Sequence, residues 1–231
     1  MSSLEPPTQA DTVEVRIRSI QAEIPSGVRL VAVTKQVPVT AMRAAYIAGI
    51  RDFGESRLQE ALPKQEQLQD LPDITWHFIG HLQSNKIQKA IPSFDWIHSV
   101  DSLKLAQKLD HLAANRPHKP RICLQVKILS DPNKYGWIIP DLLAALPHLN
   151  ACSNLDIVGL MTIPPLGLSP EETQSVFQRT WELAQSIREK DYPNLTLRHL
   201  SMGMSADYPL AIAAGATLVR LGRVIFGDRP N

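Results

Sequence analysis

Short apolar runs alternate with helix-like segments along almost the whole chain, and this alternation constrains the fold more than any other feature. The runs fall at residues 31–34, 50–53, 75–79, 96–100, 121–128, 155–161, 195–200 and 217–221. Between them lie segments of helical spacing at 41–48, 55–69, 84–90, 102–115, 140–149, 170–190 and 205–214, with a further helix over 13–20 in front. Strands joined by helices must run parallel, with crossover connections. Eight such units close into a (β/α)₈ barrel, an α/β fold that 231 residues suffice to build. An open doubly wound sheet is the alternative arrangement of the same units. No proline/glycine linker divides the chain, so a single barrel over 12–231 is expected behind a flexible tail at 1–11.

Barrels of this kind carry their chemistry at the C-terminal ends of the strands. The first run, VRLVAVTKQV at 28–37, ends in Lys35. A lysine whose stem is packed against the core and whose amine sits at the rim is partly desolvated. That disfavours the ammonium and favours the nucleophilic amine that Schiff-base chemistry with an aldehyde requires. The plain alternative is a lysine that snorkels to water. The other strand ends add Ser56, Ile79, Met161, Ser201, Gly203, Ser205, Arg220, Gly222 and Arg223. Lysine, hydroxyls, glycines and arginine on one rim suit an anionic, planar, aldehyde-bearing ligand. The loops after runs seven and eight, SMGMS and RLGR, expose backbone N–H groups beside Ser205 and Gly222, a recurrent phosphate position in barrels. Ser205 is expected to cap the helix at 205–214. Arg220 neighbours Lys35 once the barrel closes. It either faces the ligand or forms an ion pair with Asp101 or Asp207.

Other classes of function are disfavoured. A formal net charge of +1 argues against nucleic acid or a membrane surface as the main partner. Trp76, Trp96, Trp137 and Trp181 are dispersed and give no stacking platform. His77 and His81 straddle a strand–loop junction, so core packing and a loop contact are expected of them, not a metal. Asp131 and Lys134 read as a turn. Cys123 and Cys152 have no metal spacing and read as reduced thiols. Without an apolar stretch behind a basic start, and with no run long enough for a bilayer, a cytoplasmic location is expected.

The pieces VAVTKQV, FGES with Gln59-Glu60, WHFIGHLQSNK, GLMTIPP, LSMGMSADYPLAI and VRLGRVIFG occur in order over nearly the whole chain. In this set the sequence resembles the pyridoxal phosphate homeostasis protein family, single-domain relatives of the N-terminal barrel of alanine racemase. The resemblance implies pyridoxal 5′-phosphate (PLP) bound covalently to Lys35, Arg220 facing the pyridine nitrogen, and the phosphate held by Ser205, Gly222 and residue 223. It implies a role in vitamin B6 and amino-acid homeostasis without significant catalysis. A PLP-dependent amino-acid racemase of weak activity is the alternative. With Asn231 nine residues after Gly222, the β domain and tyrosine that complete alanine racemase are expected to be absent. Partners would be PLP and, beyond it, PLP-dependent apoenzymes or a regulatory protein, with the chain a monomer. Ser56-Arg57 stands where many members have Asn-Tyr, and Arg223 where many have a small hydroxyl residue. Ser56 is thus a shorter substitute, and the Arg223 guanidinium faces either phosphate or solvent.

Overall fold

A computed structural model of the protein describes residues 12–132 and 134–228. The tail expected at 1–11 lies outside the described residues. Eight parallel strands close into a barrel: β1 (Arg29–Val33), β2 (Asp52–Glu55), β3 (Thr75–Phe78), β4 (Trp96–Val100), β5 (Arg121–Lys127), β7 (Asp156–Met161), β8 (Leu195–Ser201) and β9 (Leu218–Leu221). The two-residue β6 (Trp137–Ile138) pairs only with the end of β5 and stands outside the ring. Closure is made by β1 and β9, with Val31 opposite Arg220. The open-sheet alternative is thereby excluded.

Helices α1 (Val13–Glu23), α2 (Val39–Ile47), α3 (Leu58–Gln67), α4 (Ile87–Ala90), α5 (Leu103–Ala113), α6 (Ile139–Asn150), α7 (Pro170–Arg188), α8 (Tyr208–Ala213) and α9 (Arg223–Phe226) accompany the strands. Their starts follow local chemistry. Thr12 and Ser102 accept from backbone N–H groups three residues on, and Ser169 forms a reciprocal capping box with Glu172. Four starts differ from the sequence reading by two residues or more, those of α3 and α4 each falling three residues later than expected, at Leu58 and Ile87. α2 begins at Val39 behind Pro38, two residues before the expected start at 41. α8 begins at Tyr208, because the Asp207 carboxylate accepts from Met204 N–H (2.6 Å) and holds 204–207 as a separate turn. Ser205 therefore does not cap the helix.

The main apolar core lies between the strands and the helical ring. A second, smaller cluster fills the barrel itself: Val31, Trp96, Cys123, Val158, Met161 and Leu218. Alternation along each strand decides which side chains enter the barrel. It also brings in Asp52, His77, His98, Ser201 and Arg220, so this interior is unusually polar. Gly159 sits where β7 and β8 shift register. A Cβ there would lie 2.1 Å from the His199 carbonyl oxygen, so the close strand contact requires glycine.

Candidate functional site

The C-terminal ends of the barrel strands open on a cavity of about 920 Å³. Lys35, Ser56 and Ile79 line it from the first three strands, and Ser205, Arg220, Gly222 and Arg223 from the last two. Three other candidates are elsewhere. Met161 is buried in the interior cluster with Trp96. Ser201 lies beneath Arg220, and Gly203, at φ +93°, packs against α8, where a Cβ would meet Ala211 at 2.7 Å. Missed by the sequence reading is the segment after β7: Ile163, Pro164, Pro165 and Leu166 form a wall of the cavity, with Leu166 94% exposed at its edge.

Lys35 is half-buried, two residues beyond β1. The backbone beneath it is pinned from both sides. Thr34 N–H donates to the Gly54 carbonyl (2.9 Å), and Lys64 Nζ donates to the Thr34 carbonyl (2.7 Å). Lys64 also pairs with Glu55 (2.8 Å), to which the Thr34 hydroxyl donates (2.7 Å). Glu55 is thus the fully buried last residue of β2, not the first of a helix. Burial holds its pKa above the usual carboxylate range despite those partners.

Arg220 is 4% exposed at the inner end of the cavity. Its guanidinium donates to Ser201 Oγ (2.6 Å) and to the Thr162 carbonyl (3.1 Å), both neutral acceptors. The ion pairs open to it in sequence are not made: Asp101 faces His81 (3.3 Å), and Asp207 caps the turn at Met204. Burial pushes its pKa down to about 10, which leaves it cationic at neutral pH. The loops after β8 and β9 meet where Gly222 N–H donates to Ser205 Oγ (3.3 Å). Arg223 is exposed. His81 stacks on Tyr135 with ring centroids 3.5 Å apart, while His77 is inside the barrel. Lys134 N–H donates to the Asp131 carbonyl, closing a turn, and its amine reaches the Pro164 carbonyl on the cavity wall.

Residues 9–230 match the family described as alanine racemase, N-terminal domain. The pyridoxal phosphate homeostasis protein of Synechocystis is 54% identical over 210 residues, 91% of this chain and 95% of that protein. The chain belongs to the pyridoxal phosphate homeostasis protein family. The member from Pseudomonas aeruginosa is 43% identical, over 89% of this chain and 86% of its own. PipY of Synechococcus elongatus, solved with PLP bound, superposes with a TM-score of 0.90 at 49% identity, over 94% of this chain and all of its own. Alanine racemase of Clostridium difficile (TM-score 0.75, 16% identity, 96% of this chain and 58% of its own) shares the barrel fold. Among the described residues no helix is long and apolar enough to cross a membrane.

The polar barrel interior is expected to make the fold acid-sensitive. Burial pushes the pKa of His77 down, outweighing its Asp52 contact. Burial, with His77, Arg220 and His199 nearby, pushes that of His98 well below its ordinary value. Unfolded, both rings take up a proton near pH 6.5. Below that pH the unfolded chain binds more protons than the native one. Stability is therefore complete above about pH 6.5 and lost on acidification, by up to about 1.4 kcal/mol per pH unit for each ring. The urea midpoint is expected to fall steeply between pH 7 and 5.5, and His98→Gln to flatten the slope. A wild-type midpoint that is level over this range contradicts the assignment.

Proposed function

We propose that the protein holds PLP in the barrel-mouth cavity as a Schiff base with Lys35, and stores or delivers the coenzyme without turning amino acids over. The observation that carries this reading is Arg220, a buried cation with only neutral acceptors at the inner end of a cavity that Lys35 also lines. A guanidinium can only donate. Facing a pyridine nitrogen, it leaves that nitrogen unprotonated, and the ring is then a weak electron sink, where a carboxylate partner would make it a strong one. The other cavity residues fit the same ligand. Ser205 and Gly222, already in contact, offer a hydroxyl and a backbone N–H to the phosphate, with residue 223 beside them. Ser56 and Ile79 line the same cavity and would border the bound coenzyme. The name carried by the relatives and the PLP seen in PipY support the assignment, with residues 12–231 acting as one coenzyme-binding barrel.

Attachment is a condensation. The Lys35 amine adds to the aldehyde carbon, a C=N bond forms and one water leaves, with no oxidant or reductant needed. PLP supplies the electrophilic aldehyde and the ring. The protein would orient both, and residues 163–168 wall the cavity. Delivery to PLP-dependent apoenzymes is the use that fits a coenzyme held reversibly at an open rim.

Purified protein loaded with PLP is expected to absorb in the near-violet, to lose that band on borohydride reduction, and to carry the reduced coenzyme on the peptide containing Lys35. With L- or D-alanine, turnover is expected to stay at the level of free PLP. Turnover far above that level would replace the carrier reading with a racemase.

A further inference from the structure

A line of hydrogen bonds runs through the barrel from the cavity to the opposite end. Arg220 donates to Ser201 Oγ (2.6 Å), which lies 2.7 Å from His98 Nδ1. His98 Nε2 is 2.9 Å from His77 Nδ1, and His77 Nε2 is 2.9 Å from Asp52 Oδ1. Ser201, His77 and His98 are completely buried. Asp52 also accepts from Arg29 (2.8 Å) at the N-terminal face of the barrel, where the Arg29 side chain is 41% exposed.

The two ends of this line are chemically one-sided. Arg220 has no acceptor, and an ionised carboxylate has no donor. Burial raises the pKa of Asp52, but hydrogen bonds from His77 and Arg29 outweigh it and hold the group ionised at neutral pH. Each buried neutral imidazole carries one N–H. A lone pair on His77 Nε2 would face a carboxylate oxygen at 2.9 Å, so the hydrogen must be there. His77 Nδ1 then accepts, which requires the hydrogen of His98 on Nε2. His98 Nδ1 accepts in turn, and the Ser201 hydroxyl must supply that hydrogen. Both lone pairs of the Ser201 oxygen are left to acceptor duty, and one takes Arg220.

We infer that Asp52 is a positioning residue for Arg220, acting from the far end of the barrel through a one-way chain Arg220→Ser201→His98→His77→Asp52. The effect on the coenzyme rests on the assignment of Arg220 to the ring nitrogen; the chain itself needs no coenzyme. Reversing the chain would make the Ser201 oxygen accept from both His98 and Arg220, take from its hydroxyl hydrogen the acceptor that His98 Nδ1 provides, and weaken the seat of Arg220. Asp52 prevents the reversal.

The test reads the histidine tautomers by 15N–1H correlation in coenzyme-free protein labelled at histidine, at pH 7. In the wild type both His77 and His98 are expected neutral with the hydrogen on Nε2. Asp52→Ala removes the acceptor at His77 Nε2 and leaves the Arg29 guanidinium, a donor, near it. The hydrogen is then expected to move to Nδ1 in both rings. Asp52→Asn is expected to restore the wild-type pattern, since Arg29 donates to the same oxygen, Oδ1, that His77 uses and so orients the amide. Ser201→Ala cuts the other end and should leave both tautomers unchanged, because the direction is set from Asp52. PLP dissociation constants should rise about fivefold in Asp52→Ala, the worth of about one hydrogen bond, and recover in Asp52→Asn. A wild-type Nδ1–H or a protonated ring overturns the chain, as do tautomers that respond to Ser201→Ala but not to Asp52→Ala. Tautomers that move in Asp52→Ala while PLP affinity stays unchanged would uphold the chain and overturn the role of Arg220 at the ring.

Discussion

Lys35→Ala is expected to abolish covalent retention of PLP and to leave the barrel folded. The side chain lies beyond the paired part of β1, and the backbone around it is held by bonds that the substitution does not touch. Gln36 N–H donates to Glu60 Oε2 (3.0 Å) and Val37 N–H to the Thr34 carbonyl (2.9 Å), while Lys64 fixes that carbonyl from outside. The change in stability should therefore stay within about 1 kcal/mol. Weak coenzyme binding should persist through Ser205, Gly222 and Arg220. Borohydride treatment followed by mass spectrometry, beside a urea titration, checks both halves. Quantitative fixation of the coenzyme on the variant would move the Schiff base to another amine.

A methyl group at Gly80 is expected to damage fold and site together. A Cβ there would lie 2.2 Å from the Ser56 carbonyl oxygen and 2.8 Å from Ser56 Cα. These are backbone atoms, and they cannot swing aside as a side-chain end can. Nor can Gly80 retreat freely, since its own carbonyl accepts from the Ser99 hydroxyl. The clash must displace the segment at Ser56, a wall of the cavity. The cost is on the order of 3 kcal/mol, or a fall of roughly 6–12 °C in melting temperature for a chain of this size. Thermal melts of wild type and Gly80→Ala, each with and without PLP, measure both effects. An unshifted melt would mean that the loop yields at no cost.

The architecture was legible because parallel strands and crossover helices leave a repeating pattern, and eight repeats in a chain of this length favour closure. Lys35 and Arg220 were legible for the same reason, as ends of the first and last runs. Strand-end position says nothing about depth, however. Met161 and Ser201 also end their strands, yet register shifts between β5 and β7 and between β7 and β8 alter how far each side chain reaches up the barrel. Ser201 ends as the seat of Arg220 and not as a wall of the cavity. The type of Ser205 and its place before an apolar segment suggest a helix start, whereas the Asp207 carboxylate two residues on takes the backbone N–H that decides where the turn stops. The Asp52–His77–His98 line left almost no trace in sequence. Its members sit on three strands, each separately unremarkable, and only the inward alternation of β2, β3 and β4 brings them into contact.

Closure by β1 and β9 has a consequence for how the protein first meets its ligand. Val31 and Arg220 are register partners although 189 positions separate them in the chain. A coenzyme that needs both Lys35 and Arg220 therefore finds no binding site on a growing polypeptide until β9 has been synthesised and docked. Loading at the proposed site would follow closure of the barrel. Bound as proposed to Lys35 and Arg220, PLP would tie the two ends of the ring together and by mass action oppose any opening of the β1–β9 seam. In a cell, the fraction of molecules able to open there would then fall as the free coenzyme concentration rises.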